Sequence, residues 1–329
     1  MDTGGSKSVI IVAFACNLGI ALTKFVAAGW TQSSAMLSEA IHSLVDTSNQ
    51  LLLLFGIHRA ARPADAQHPF GYGKEMYFWS FIVAMVLFSL GAGVAIYEGI
   101  EKVLNPHPLR DTYVLYIVLG VALALEGYSM LKALGEFNVR RRPSGLSFVA
   151  ALRASKDPSL FAIVLEDAAA LAGLVIAFVG TMIADLGGYE QADGYASILI
   201  GCVLAFVAIF MSVEIRSLIV GEAASRSVQD GIRDIISADV GPEKPIRVIN
   251  EIRTMHLAPQ DILVTASVDF EDWVSARTVE EVTARLQRAI KARYPEVQHL
   301  FIEVQSDKAF QANKAAASAR AATSAASVH

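Results

Sequence analysis

A chain of 329 residues that is 54% hydrophobic and 18% charged, with a mean hydropathy of +0.46, lies outside the range of soluble domains of this size and takes the bilayer as its solvent. Its formal net charge of -5 hides an uneven spread of Lys and Arg among the connections, and no nucleic-acid partner is expected. The two cysteines, Cys16 and Cys202, sit far apart in apolar segments and are read as small buried hydrophobes, with no disulfide or thiolate role.

A spanning helix needs roughly 20 mostly apolar residues. Six segments qualify, at 9–30, 34–57, 77–103, 112–135, 159–184 and 194–219. The first is as long as a true span and lacks a small-residue cleavage pattern, so it is read as a retained helix. Gly91 and Gly93 in the third are expected to serve close helix packing. Basic residues crowd the second connection (His58, Arg59, Arg62, Lys74) and the fourth (Arg140, Arg141, Arg142, Arg153, Lys156). The 185–193 connection carries Asp185, Glu190 and Asp193 and no basic residue. The even-numbered connections are therefore cytoplasmic, and with six spans both termini join them, in a plasma membrane or bacterial inner membrane. The fourth connection alternates Leu146, Phe148, Val149 and Leu152 with Arg142 and Arg153, which fits a short interfacial helix or an ordinary loop.

From about residue 226 the chain changes character. Ile232, Ile235 and Ile236 have helical spacing, 247–255 and 261–270 read as strands, Val279, Val282, Leu286 and Ile290 mark an amphipathic helix, and 297–304 is a last strand. The order αββαβ suits a small two-layer α+β domain. The predicted organisation is an all-α six-helix transmembrane bundle over 1–222, a cytoplasmic α+β domain over 223–306 and a disordered Ala/Ser-rich tail over 307–329.

Ionisable groups inside spans carry the chemistry, because each costs roughly 2.5–3.5 kcal/mol near the bilayer centre on insertion scales. Span two holds Glu39, His42, Asp46, Asn49 and Gln50. At about 100° per residue all five share one stripe roughly 100° wide, turned toward protein or water. His42 and Asp46 are one turn apart and can meet a single ion. Span five supplies Glu166 and Asp167 at a matching depth, and because neighbours diverge by about 100°, Asp167 alone is favoured as the ligand. An imidazole with carboxylates suits tetrahedral Zn2+, whereas oxygens alone lean to Mn2+ or Mg2+. The bland alternative is a buried His–Asp pair that only packs; the second acidic pair at the same depth argues against it. Asn17 and Lys24 lie in span one, Glu98 in span three and Glu126 in span four. Lys24 is expected to snorkel outward and Glu98 to sit at the interface, while Glu126 divides evenly between a packing hydrogen bond and a proton or ion relay. No HExxH-like pattern occurs and span five has no second histidine, so an intramembrane hydrolase is set aside and no enzyme activity is expected.

Four segments, LSEAIHSLVD, ARPADAQHPFGYGKE, LEDAAALAG and NEIRTMHLAP, resemble the cation diffusion facilitator family over nearly the whole chain short of the tail. The resemblance implies a six-helix homodimer with a cytoplasmic ferredoxin-like domain, exchanging Zn2+ or a related ion for protons without a further cofactor. Position by position, His42 and Asp46 match the metal motif of helix two and Asp167 the aspartate of helix five. Ile163 stands where many zinc members have histidine, which points to the branch with an LED motif, with Glu166 or Glu39 as a further ligand and Mn2+, Fe2+, Co2+ or Cd2+ as alternative cargo. Glu126 and Asn17 are further relay candidates. Asp65 and His68 match a secondary loop site of some members, with Tyr72 in the place of another histidine. Asn250 and Ala266 fall where some members have metal-binding histidines, and His256 and His299 read as ordinary strand or surface residues. A membrane-anchored interaction or metal-sensing protein without transport is the reading from another class.

Overall fold

Long helices occupy every segment read as a span in the computed structural model, which describes residues 4–31, 34–106, 112–141 and 156–326. Side chains are described within these ranges except at 4–7, 27, 28, 31, 34–42, 140, 141 and 321–326. The chain divides into two compact units, Met1–Val220 and Gly221–His329.

The first unit holds α1 (Gly4–Thr31), α2 (Ser34–Ala60), α3 (Glu75–Leu104), α4 (Thr112–Arg141), α5 (Pro158–Gly187) and α6 (Gln191–Val220). A π-helical stretch, Leu87–Ala92, interrupts α3. The helices close into a ring: α1 packs on α2 and α4, α2 on α3, α3 on α6, α6 on α5, and α5 on α4. Among the described residues five of them, α1, α3, α4, α5 and α6, carry a stretch long and apolar enough to cross a membrane. Their outward faces are apolar, as with the exposed Leu199, Phe206, Ile209 and Val213 of α6, while Asn17, Asn49, Gln50, Glu126, Ser129, Glu166 and Asp167 are buried. Polar groups inside and apolar groups outside is the arrangement lipid imposes. The interfacial helix weighed for the fourth connection falls on 142–153, outside the described residues.

Helix α5, which carries the acidic pair, starts where the sequence says it must. Asp157 caps it by accepting from the backbone N–H groups of Ser159 and Leu160, Pro158 takes a position that needs no N–H, and Gly188 ends it at φ +70°. Close helix packing was expected at Gly91 and Gly93. Gly91 is buried, but Gly93 is exposed, and a Cβ there would come no nearer than 3.8 Å to Phe88 O. The tight seam joins α3 to α6: a Cβ on Gly99 would stand 2.7 Å from Ile198 N, and one on Gly194 2.9 Å from Gly99 O. Only glycine lets the two backbones come this near.

The second unit runs α7 (Arg226–Ser237), β1 (Ile246–Ala258), β2 (Asp261–Phe270), α8 (Ala276–Arg293), β3 (Val297–Val304) and α9 (Asp307–Ala326). Its three strands lie in the order β1-β2-β3, antiparallel in the first pair and parallel in the second. Ser225 and Ser275 cap the first two helices through Val228 N and Thr278 N. Ile232 and Ile236 of α7 and Val282, Leu286 and Ile290 of α8 pack on alternate β2 residues Ile262, Val264, Ala266 and Val268. The disordered tail expected at 307–329 is corrected at 307–326, which is helical. Alanine is the strongest intrinsic helix former, and the Asp307 N–H finds an acceptor in Asp269 Oδ2 at 3.0 Å.

Candidate metal centre

The polar stripe of α2 turns inward. Asn49 and Gln50 are fully buried and Asp46 partly so, whereas Leu44, Leu51 and Phe55 on the other faces are exposed. His42 and Glu39 belong to α2, and their side chains lie outside the described residues.

The two acids of α5 part as the helical rotation requires. Glu166 turns to α2, where Asn49 Nδ2 donates to its Oε1 at 3.0 Å and Gln50 Nε2 to its Oε2 at 3.3 Å. Asp167 turns to α4, and its Oδ2 accepts from Ser129 Oγ at 2.8 Å. Asp167 is 1% exposed and Glu166 6%. On α4, Glu126 is buried within electrostatic reach of Asp167, Asp46 and Lys24; Glu166 is within reach of Asp46, Asp167 and Glu126. Four carboxylates from three helices thus share one interior. Asn17 is buried on α1. Among the described residues no three His, Cys, Asp or Glu side chains form a metal-holding group; the set assigned from sequence includes His42, whose side chain is not among them.

Three features escaped the reading of the sequence. The Asn49–Glu166–Gln50 clamp makes Glu166 a bridge between α2 and α5. Ser129 supports Asp167, and its spacing of one turn from Glu126 was the available signal. Lys24, expected to reach outward, is 9% exposed, because α1 packs between α2 and α4 and encloses it.

The loop between α2 and α3 is held together by its own hydrogen bonds. Asp65 Oδ1 accepts from the N–H groups of Gln67 (2.9 Å) and His68 (2.8 Å), and Oδ2 from Tyr72 OH at 2.6 Å. The Tyr72 hydroxyl foremost, then the His68 N–H, holds the Asp65 carboxyl down to about 2. His68 stacks on Tyr72 with centroids 4.2 Å apart, and Arg62 covers the same ring at 4.4 Å. In the second unit Asn250 Nδ2 donates to Ser267 Oγ and Gln305 O, Ala266 faces the core, His256 is buried with Nδ1 3.2 Å from Ala258 O, and His299 Nε2 lies 3.7 Å from Asp261.

The pattern of the family described as "Cation efflux transmembrane domain" matches residues 10–220. The proton-coupled zinc antiporter SLC30A9, mitochondrial, of Xenopus laevis is 30% identical over 91% of this chain and 60% of its own length. Metal tolerance protein C4 of Arabidopsis thaliana is 32% identical over 72% of this chain and 55% of itself. The cation-efflux pump FieF of Cronobacter sakazakii is 24% identical over 83% of this chain and 84% of itself. The chain spans about 60% of the length of the first of these relatives. A domain match across the whole helical unit, on a ring that encloses four carboxylates, makes this chain a member of the cation efflux, or cation diffusion facilitator, family.

Proposed function

We propose that the chain is a cation efflux transporter that carries Zn2+ out of the cytoplasm in exchange for protons, by alternating access through a site of His42, Asp46 and Asp167. The observation that carries this reading is that Asp46, from α2, and the buried Asp167, from α5, both lie within electrostatic reach of the buried Glu126 of α4. Such charges are too costly in a membrane to be grouped without a cation to hold. Relatives named as zinc antiporter and cation-efflux pump support the same reading.

In this scheme α2 serves as the sixth span, both termini and the ferredoxin-like second unit face the cytoplasm, and two copies form a homodimer in the bilayer. Metal ligands bind only when deprotonated, and an ordinary imidazole titrates at about 6.5, so the same residues exchange an ion for protons without a cofactor. Glu166 acts as the clamp between α2 and α5, Glu126 and Asn17 line the proton path, and Glu39 lies one turn before His42 as a reserve ligand. Asp65 and His68 form a structural turn, every Asp65 oxygen being engaged within the loop.

Purified protein in proteoliposomes, with an internal zinc dye and a pH dye, tests this. Zinc flux with counterflow of protons is expected in the wild type and its loss in His42→Ala, Asp46→Ala and Asp167→Ala. Flux that persists in these variants overturns the site. No flux of any divalent ion in the wild type overturns transport in favour of a membrane-anchored interaction or sensing protein. Ile163, fully buried one turn before Asp167, supplies no imidazole and favours a second cargo reading, so competition by Mn2+, Fe2+, Co2+ and Cd2+ belongs in the same assay.

A further inference from the structure

A serine or threonine hydroxyl has one proton to donate, and on an apolar helix the nearest acceptor is the carbonyl one turn back. Thr23 of α1, Thr47 and Ser48 of α2, Ser89 of α3 and Ser212 of α6 all use it, each donating to the carbonyl four residues earlier at 2.8–2.9 Å. Ser129 spends its proton differently. It sits within α4, is 1% exposed, and its Oγ donates across to Asp167 Oδ2 on α5 at 2.8 Å, where Asp167 is equally buried. A group that hydrogen-bonds an ion's ligand fixes the orientation of that ligand, and a carboxylate with Oδ2 held in this way turns Oδ1 to the ion. The number of oxygens matters here, because the fully buried Ile163, one turn before Asp167, supplies no imidazole. Four-coordinate Zn2+ needs one oxygen from a carboxylate, whereas Mn2+, which favours six oxygens, gains from a second.

We propose that Ser129 is a positioning residue that sets the choice of cargo: by holding Asp167 Oδ2 it limits this carboxylate to one oxygen for the ion, and so favours Zn2+ over Mn2+. The inference rests on the reading of Asp167 as a cargo ligand and adds the residue that aims it. Ser129 itself does not touch the ion. Its hydroxyl acts through Asp167, and the backbone of α4 fixes where that hydroxyl stands.

The full chain in detergent, titrated with Zn2+ alone and with Mn2+ alone, gives the ratio of the two affinities that tests this. Ser129→Ala is expected to weaken Zn2+ binding about tenfold or more, while Mn2+ binding, which gains Oδ2, holds or tightens, so the preference for Zn2+ falls. Ser129→Thr, which keeps the hydroxyl, returns both toward wild type. Loss of a packing contact alone weakens the two ions alike, so an unchanged ratio overturns the proposal. Should Ser129→Ala not fold, Ser129→Thr and Ser129→Val are alike in shape and differ in the hydroxyl; the preference for Zn2+ is expected to be lower in Ser129→Val, and equal ratios overturn the proposal. In Asp167→Asn the carboxylate is gone, and adding Ser129→Ala should move the ratio no further. A second full shift there shows Ser129 acting without Asp167 and also overturns it. Wild-type protein that binds neither ion sinks the transport reading together with this one, whereas zinc binding with an unmoved ratio sinks this one alone.

Discussion

Replacing Glu166 separates a helix clamp from a cargo ligand. Glu166→Ala removes the acceptors of Asn49 Nδ2 and Gln50 Nε2, on two fully buried residues whose own oxygens, Oδ1 and Oε1, already have no hydrogen-bond partner among the described residues. At about 1–3 kcal/mol for each stranded buried group, two donors give a loss of about 2–6 kcal/mol, to which the cavity adds. Glu166→Gln is different in kind. It keeps the shape and one acceptor oxygen, and its new N–H groups can donate to one of the two unpartnered amide oxygens, which holds the change to about 1 kcal/mol. Asp167→Asn likewise keeps its shape but removes a carboxylate assigned to the ion. Melting temperature in detergent should therefore fall sharply for Glu166→Ala alone, whereas zinc flux in proteoliposomes should be lost in Asp167→Asn and stay within a few-fold of wild type in Glu166→Gln. A Glu166→Gln protein with wild-type melting and no flux would refute the reasoning and make Glu166 a ligand.

Gly99, at the α3–α6 seam, and Gly120, on α4 away from it, predict opposite signs. Gly99→Ala drives a Cβ to 2.7 Å from Ile198 N and should cost about 1–3 kcal/mol, while Gly120→Ala, with nothing described within 4 Å, should gain about 0.5–1 kcal/mol; detergent melts of the two variants compare them. In the loop, Asp65→Ala should open the chain to chymotrypsin after Phe70 at neutral pH. Because the folded Asp65 carboxyl titrates at about 2, below its ordinary value, its contribution is complete above the ordinary value and lost as pH falls through about 2. Hydrogen exchange at the Gln67 and His68 amides, corrected for intrinsic rates, reads that loss. Asp261 behaves in the reverse sense: burial pushes its carboxyl up, against the pull of His299, so the fold favours the protonated form and loses stability as pH rises from the ordinary value through the raised one. Asp261→Asn should slow exchange in β2 and β3 of the intact chain at pH 7, and faster exchange there would count against this.

Much of the fold was legible because it depends on local geometry. Rotation of about 100° per residue put Asp46, Asn49 and Gln50 on one stripe, and the helix buries that stripe. The same rotation made Glu166 and Asp167 diverge, and the segment 261–270, read as a strand, is β2, which buries alternate residues Ile262, Val264 and Ala266. Apolar length alone found the helices, since a backbone in lipid must bond within itself.

Partners across the ring had no such local cause. That Glu166 meets α2 while Asp167 meets α4 follows from which helices flank α5, and the rotation between two side chains says nothing of their neighbours. Lys24 has a stem long enough to reach water or an internal acid, and the packing of α1 between α2 and α4 chose the interior. Gly93 was expected to serve close packing and is exposed, whereas Gly99 and Gly194, not singled out in the sequence, meet at the seam, because backbone approach depends on where two helices cross. At 307–326 the absence of a core pattern suggested disorder, where alanine propensity and a cap from Asp269 were enough for a helix. Spacing along the chain dictates which side chains share a face; the company each face keeps is set when distant segments pack.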